Sequence, residues 1–226
     1  MAISKERRKS KSRDVPIMDA EVPKRLRAER EQVGISVREM ARRVDVSPSA
    51  ISQIETGRAR PSVSLLYAIV TELGLSLDEL FQSDAAGAAK PSGGKRAVSG
   101  GHGEGSVQKA DSRVAIDLDT GVRWERLTAS PDPDVDFLFV TYPPGSSSSP
   151  AGLMRHAGVE YGLVLSGELE VTTGFNAHKL GPGDSIRFDS TVPHRLSNVS
   201  EEPATGVWFV IGRGSSDPRG DVDQSA

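Results

Sequence analysis

The chain has no cysteine among its 226 residues. That excludes disulfides, thiolate-ligated zinc, iron–sulfur clusters, a cysteine nucleophile and thiol-based redox sensing. It also lacks any apolar run near the roughly 18 residues that span a bilayer. The N-terminus, MAISKERRKSKSR, has no apolar core behind its charges and so does not read as a secretory signal. A cytoplasmic protein with no membrane partner is expected. Apolar residues are scarce, at 36% against 26% charged, so part of the length should lie outside packed cores.

Charge of one sign is present but unevenly placed. The net charge is −3. Through Arg60, fifteen Lys and Arg face nine Asp and Glu; from Leu80 onward thirteen face nineteen. A basic front suits a polyanion and an acidic rear does not, which suggests two jobs on one chain. Residues 1–20 read as a basic disordered arm, with Lys5, Arg7, Arg8, Lys9, Lys11 and Arg13 in nine positions. Such an arm attracts phosphate without fixed structure. Residues 84–110 hold seven Gly, six Ala and three Ser among 27 positions and read as a flexible linker. His102 falls in that run and is given no role.

Between arm and linker, residues 21–83 read as five short helices. Val22, Leu26 and Val33 lie near one face, and Gly34 closes the first helix. Ser36 is an N-cap candidate with Glu39 at the capping-box position. Val37, Met40, Ala41 and Val44 then form a helical stripe. Ser47-Pro48 supplies the next cap, with proline at the first helical position. Ile51 and Ile54 face the core of that third helix and Gly57 ends it. Leu65, Leu66, Ile69, Val70 and Leu73 build a fourth; Leu77, Leu80 and Phe81 build a short fifth. Two short helices around a tight turn make a helix-turn-helix.

The words LRAEREQVGIS, REMARRVDVSPSAISQIETG and RPSVSLLYAIVTELGLSLDELF resemble the Xre-type DNA-binding domain across residues 24–81. An Xre-type domain lays its third helix in the major groove of double-stranded operator DNA. At 100° per residue, Pro48, Ser49, Ser52, Gln53 and Thr56 point away from Ile51 and Ile54, so the resemblance implies that they meet base edges. Gln53 is the long one; its amide can pair bidentately with adenine. Arg38, Arg42, Arg43, Arg58 and Arg60 flank the helix and are placed for phosphates, which position without reading sequence; a merely solvated face is the alternative for each. Val37 stands where the family often has a phosphate-bonding polar residue. Arg30 and Glu55 match a pair that in the family forms a buried salt bridge.

From 111 to 213 the pattern changes to short β-branched and aromatic runs between Gly, Pro and Asp turns: VAIDL, VRWERLT, DFLFVTY, YGLVLSGELEVTTG, SIRF and TGVWFVI. With no amphipathic helix between them, they read as an antiparallel sandwich or barrel. The tail, 214–226, is polar and expected to be disordered. PPGSSSSPAGLMRHAGVEYGLVLSGELEV and LGPGDSIRFDSTVPHRLSN resemble the two cupin motifs. His156, Glu160 and Gly167 fit the first, with Met154 in place of its first His. His194 and Asn198 fit the second, with Thr191 in place of its Gly.

The fold class is therefore multidomain α plus all-β: a five-helix Xre-type domain, a flexible linker and a C-terminal cupin β-barrel. Methionine is a poor ligand for hard metals, which leaves His156, Glu160 and His194. Two His and one carboxylate suit Fe²⁺ with open positions or Zn²⁺ with water. The other reading makes them polar pocket walls for an organic ligand, with no metal. Tyr142, Met154, His156, Glu160 and His194 form the expected effector pocket. Tyr161, Arg187 and Trp208 are further candidates, of which strand alternation admits about half. The layout matches Xre–cupin transcriptional regulators, which implies a small-molecule effector, a homodimer through the cupin half and no catalysis. It is also similar to hydroxypropylphosphonate epoxidase, a cupin enzyme with a His-Glu-His iron triad. The linker predicts that effector and DNA communicate through dimer geometry or through release of the front domain from the acidic rear, rather than rigidly.

Overall fold

A computed structural model describes residues 21–75, 77–81, 107–130, 132 and 134–212. The expectations for the arm (1–20), for linker residues 84–106 and for the tail (214–226) lie outside the described residues. No described helix is long and apolar enough to cross a membrane.

The front domain holds α1 (Glu21–Gln32), α2 (Val37–Arg43), α3 (Pro48–Glu55), α4 (Val63–Leu73) and a single turn, α5 (Leu77–Leu80). The expected five-helix domain is thus corrected to four full helices. Leu77–Leu80 is too short to carry more than one turn of backbone hydrogen bonds, and its Leu77 and Leu80 are buried as side-chain plugs. The caps are where the sequence placed them. Ser36 and Ser47 accept from the amides of Glu39 and Ala50, each at 3.1 Å. The capping box is only half made, because the Glu39 carboxylate turns to Arg42 and Arg43. Ser62 caps α4, and Gly74 ends it in the left-handed region at φ 68°.

The rear domain has two antiparallel sheets. One runs β1 (Ala115–Asp117), β2 (Arg123–Arg126), β3 (Val135–Tyr142), β9 (Ala204–Ile211), β4 (Val159–Ser166), β7 (Ser185–Asp189). The other runs β6 (Asn176–Leu180), β5 (Leu169–Thr173), β8 (His194–Ser197). The runs quoted from the sequence became β1–β5, β7 and β9. β6 and β8 were not foreseen: β6 is exposed at all but its last residue, and β8 is four residues, so neither carries a period-2 apolar signal.

The two domains do not hang apart. α4 is buried on two sides. Ile69 and Leu73 face the front-domain interior with Leu26, Met40 and Ile51, while Val63 and Tyr67 face into the barrel. Backbone bonds cross the junction, from Ser64 N–H to Ser148 O and from Asp119 N–H to Pro61 O, both 3.0 Å. The direct contact that a long linker argued against is therefore present: a helix of the front domain is packed on the barrel.

Candidate effector pocket and nucleic-acid face

Pleating aims the barrel's site inward. On β4, Glu160, Gly162 and Val164 point inside while Tyr161, Leu163 and Leu165 point out. Gly162 is required: a Cβ there would lie 2.2 Å from Cη2 of Trp208, whose indole covers the strand from β9. Gly167 makes the β4–β5 turn at φ 73°, where a Cβ would lie 2.4 Å from Pro203 O. Trp208 Nε1 donates to Glu160 Oε2 at 2.7 Å, and the Ser190 hydroxyl donates to Oε1 at 3.0 Å.

His156 and His194 complete the cluster. Their Nε2 atoms lie 3.0 and 3.2 Å from Glu160 Oε1. Each Nδ1 lies against a backbone carbonyl, Ala157 O at 3.0 Å and Val192 O at 2.9 Å. Carbonyls only accept, so each Nδ1 carries a proton; a ring with that proton alone turns its Nε2 lone pair towards the carboxylate, and a ring with a second proton donates to it. His156 Nε2 is buried and makes no aligned hydrogen bond. Such a convergence calls for a cation, whether a proton on a ring or a metal ion. Burial would raise the Glu160 carboxyl, but the two imidazoles outweigh it and hold it well below the usual carboxylate range. Burial would lower His194, and Glu160 outweighs that too, so its pKa is raised. Burial, with Glu160 adding to it, pushes the Tyr142 phenol up, so it stays protonated.

Of the expected pocket residues, the structure brings together Tyr142, Met154, His156, Glu160 and His194, and adds Trp208. Met154 bridges His194 through paired 2.8 Å backbone bonds. Tyr161 and Arg187 are excluded because their strands turn them to the outer face. Asn198 is structural, donating to Tyr142 O and Glu202 O. Sequence reasoning missed Tyr67, Val63 and Trp124, which also line the cavity. A signal existed: α4 is apolar nearly all round, the mark of a helix buried on both sides.

On the front domain, Pro48, Ser49, Ser52, Gln53 and Thr56 are all exposed. The Thr56 hydroxyl, however, donates back to Ser52 O at 2.7 Å, a carbonyl that also accepts the Thr56 amide. Gln53 stands on the rim of a cleft of about 630 Å³ whose other wall is the barrel segment Ser149–Met154. The five arginines divide. Arg42 and Arg43 pair with Glu39, Arg43 also with Glu72, and Arg60 approaches Asp117 at 4.0 Å. Arg38 and Arg58 are exposed and make no ion pair among the described residues. Val37 is half-buried against the core. Arg30 and Glu55 form the expected buried pair, with Nε and Nη2 donating to the two carboxylate oxygens at 2.6 and 2.9 Å.

Comparison with known proteins agrees with this division. Residues 26–80 match the family described as helix-turn-helix, and residues 138–210 match the family described as cupin domain. The HTH-type transcriptional regulator PuuR of Escherichia coli (strain K12) is 29% identical over 177 residues, 78% of this chain and 87% of PuuR. A crystal structure of an HTH_3 family transcriptional regulator from Vibrio cholerae superposes with a TM-score of 0.57 at 21% identity, over 85% of this chain and 96% of that one. That likeness speaks for the fold. Hydroxypropylphosphonic acid epoxidase from S. wedmorenis is 21% identical over 88% of this chain and 100% of its own, at a TM-score of 0.38, too low to bear on function.

Proposed function

We propose that this chain, a DNA-binding transcriptional regulator built from an Xre-type helix-turn-helix domain and a cupin domain, reads its operator with α3 and senses a small molecule in the barrel. The relatives in hand are regulators, and the outer face of α3 carries the chemistry such reading needs. Gln53 is the base reader, seconded by Ser49 and Ser52; Pro48 and Thr56 shape the two ends of that face. Arg38 and Arg58 are ready for phosphate. Arg42, Arg43 and Arg60 must first exchange a carboxylate for a phosphate. DNA as a partner means work in the cytoplasm.

Nothing in this reading requires catalysis. Tyr142, Met154, His156, Glu160 and His194 form the effector pocket. His156, Glu160 and His194 also fit a divalent metal, Fe²⁺ or Zn²⁺, because two imidazole lone pairs and a carboxylate can converge there, and His156 Nε2, 3.0 Å from Glu160, makes no aligned hydrogen bond. A bound metal would supply a Lewis-acidic anchor for an effector oxygen or nitrogen. Met154 leaves such an ion one ligand short of the four-residue cupin set.

A homodimer through the barrel follows from the outer face of the larger sheet. Register places Phe137, Phe209 and Tyr161 in one row and Phe139, Val207 and Leu163 in the next. Phe137 and Phe209 stack at 4.2 Å. Tyr161, Leu163, Leu165 and Ile211 are exposed. A contiguous apolar face of this kind marks an interface, and a patch that pairs with its own copy gives a two-fold dimer. A two-fold pair in turn presents two recognition helices to two half-sites.

The observation that carries the reading is the capped α3 with its polar outer face. The experiment is selection of a binding site from random duplexes by the full chain, repeated with Gln53→Ala. Recovery of a sequence motif whose preference weakens at one base pair in the variant is expected. Equal binding of all duplexes by the wild type would refute it. Stoichiometric iron with turnover of a phosphonate would favour the epoxidase-like alternative instead.

A further inference from the structure

The cavity beneath His156, Glu160 and His194 is nearly full. About 20 Å³ of free space remains, enough for one water or one ion and no organic molecule. The group that fills it belongs to the other domain. Tyr67 of α4 lies flat on the His156 imidazole, with centroids 4.2 Å apart and planes at 11°. It meets Trp124 edge-on at 5.5 Å and 65°. It is 5% exposed, and Val63, one turn earlier, lines the same cavity.

This ring cannot leave its slot by itself. α4 is a helix whose opposite face, with Ile69 and Leu73 buried beside Leu26, Met40 and Ile51, is locked into the front-domain core. Cores are close-packed, so two rings do not share one slot. Displacing Tyr67 therefore moves α4, and α4 carries the whole front domain with it. Among the described residues, polar links across the junction include the Ser64 and Asp119 amide bonds and the Arg60–Asp117 pair at 4.0 Å.

We infer that Tyr67 is a removable wall: the slot takes a planar ring-bearing small molecule that stacks on His156 in place of the phenol, and its entry undocks the DNA-binding domain from the barrel. The inference rests on the reading of the barrel as an effector pocket. It adds the shape of the ligand and the means by which occupancy is felt. Docking and occupancy are then mutually exclusive. Ligand affinity is lowered by the fraction of molecules that are docked, and a domain held elsewhere, for instance on DNA, binds ligand more tightly by the same factor.

The test uses the full chain and p-cresol, the side chain of tyrosine as a free molecule. Binding is followed by the fluorescence of Trp124 and Trp208, and docking by hydrogen exchange at the Ser64 and Asp119 amides. In the Tyr67→Ala variant, p-cresol should bind at least about tenfold more tightly than in the wild type, because the competing ring is gone. Exchange at the two amides should rise without ligand, while Val171 and Val210 in the barrel stay protected. Tyr67→Phe, which keeps the ring, should bind p-cresol more weakly than Tyr67→Ala does. In the wild type, saturating p-cresol should itself raise exchange at Ser64 and Asp119. Equal affinity in wild type and Tyr67→Ala, or binding to the wild type with both amides still protected, overturns the inference. Should Tyr67→Ala not fold, the wild-type exchange measurement decides. No DNA and no natural effector enter this test, so its failure is separate from a failure of operator recognition.

Discussion

Replacing Arg30 by methionine should come close to unfolding the front domain while leaving the barrel intact. Arg30 and Glu55 are each 8% exposed at the side chain. Three guanidinium bonds are lost together: two to Glu55, and one from Nη1 to Ile35 O at 2.7 Å. Glu55 is then a buried carboxylate without its cation, which costs about 3–5 kcal/mol. The orphaned Ile35 carbonyl adds roughly 1 kcal/mol. A domain of this size has roughly 3–9 kcal/mol in all, at the usual stability per residue. The melting temperature should fall by about 12 °C or more, at 4–8 °C per kcal/mol for a small domain. The double variant Arg30→Met/Glu55→Met removes both charges and should recover most of the loss, because an apolar pair can replace a buried ion pair at little cost. The long helices among the described residues lie in the front domain, so far-ultraviolet circular dichroism follows that half. Both tryptophans lie in the barrel; Trp208 reports it by fluorescence, while Trp124, edge-on to Tyr67, also senses the junction. A single variant that melts with the wild type, or a double variant no better than the single, would refute the reasoning.

Further expectations concern the barrel, the dimer and the DNA. Gly162→Ala places a Cβ 2.2 Å from Trp208 Cη2; the barrel should lose about 1–3 kcal/mol as the indole is forced aside, and unchanged urea unfolding by fluorescence would show that β4 yields instead. Phe209→Glu puts a charge in the middle of the apolar sheet face and should give a folded monomer by light scattering; a dimer at the wild-type concentration dependence would move the interface elsewhere. Arg38→Ala and Arg58→Ala should each weaken binding to all duplexes alike and reduce the salt slope by about 1. A change in which duplex is preferred would mean that these side chains read bases.

Several features were legible in the chain before any fold was known, because each rests on neighbours in sequence. Ser36 and Ser47 cap helices through amides three residues on, a bond that needs nothing beyond the local turn. The stripes on α2 and α3 and the period-2 runs of β3 and β9 likewise declare which face is buried. His156 and Glu160, four apart, together with His194 were recognisable as a set through the cupin motifs. The Arg30–Glu55 pair was recognisable through the Xre-type pattern.

What the chain could not declare by itself depends on register and on distant packing. Tyr161 and Trp208 looked alike as pocket candidates; strand pairing turned one outward and the other over Gly162. Thr56 looked like a base reader, but at the end of α3 its hydroxyl donates back to the Ser52 and Gln53 carbonyls. β6 has no apolar alternation, and it exists because β5 supplies a ladder for it. The apolar outer face of β3, β9 and β4 is a face only once the three strands are aligned. Tyr67 is the clearest case. It lies 89 positions before His156, and local sequence describes it merely as an apolar residue on a helix. Burial on a second side of that helix, beside the barrel rather than within its own domain, turned it into the wall of the pocket.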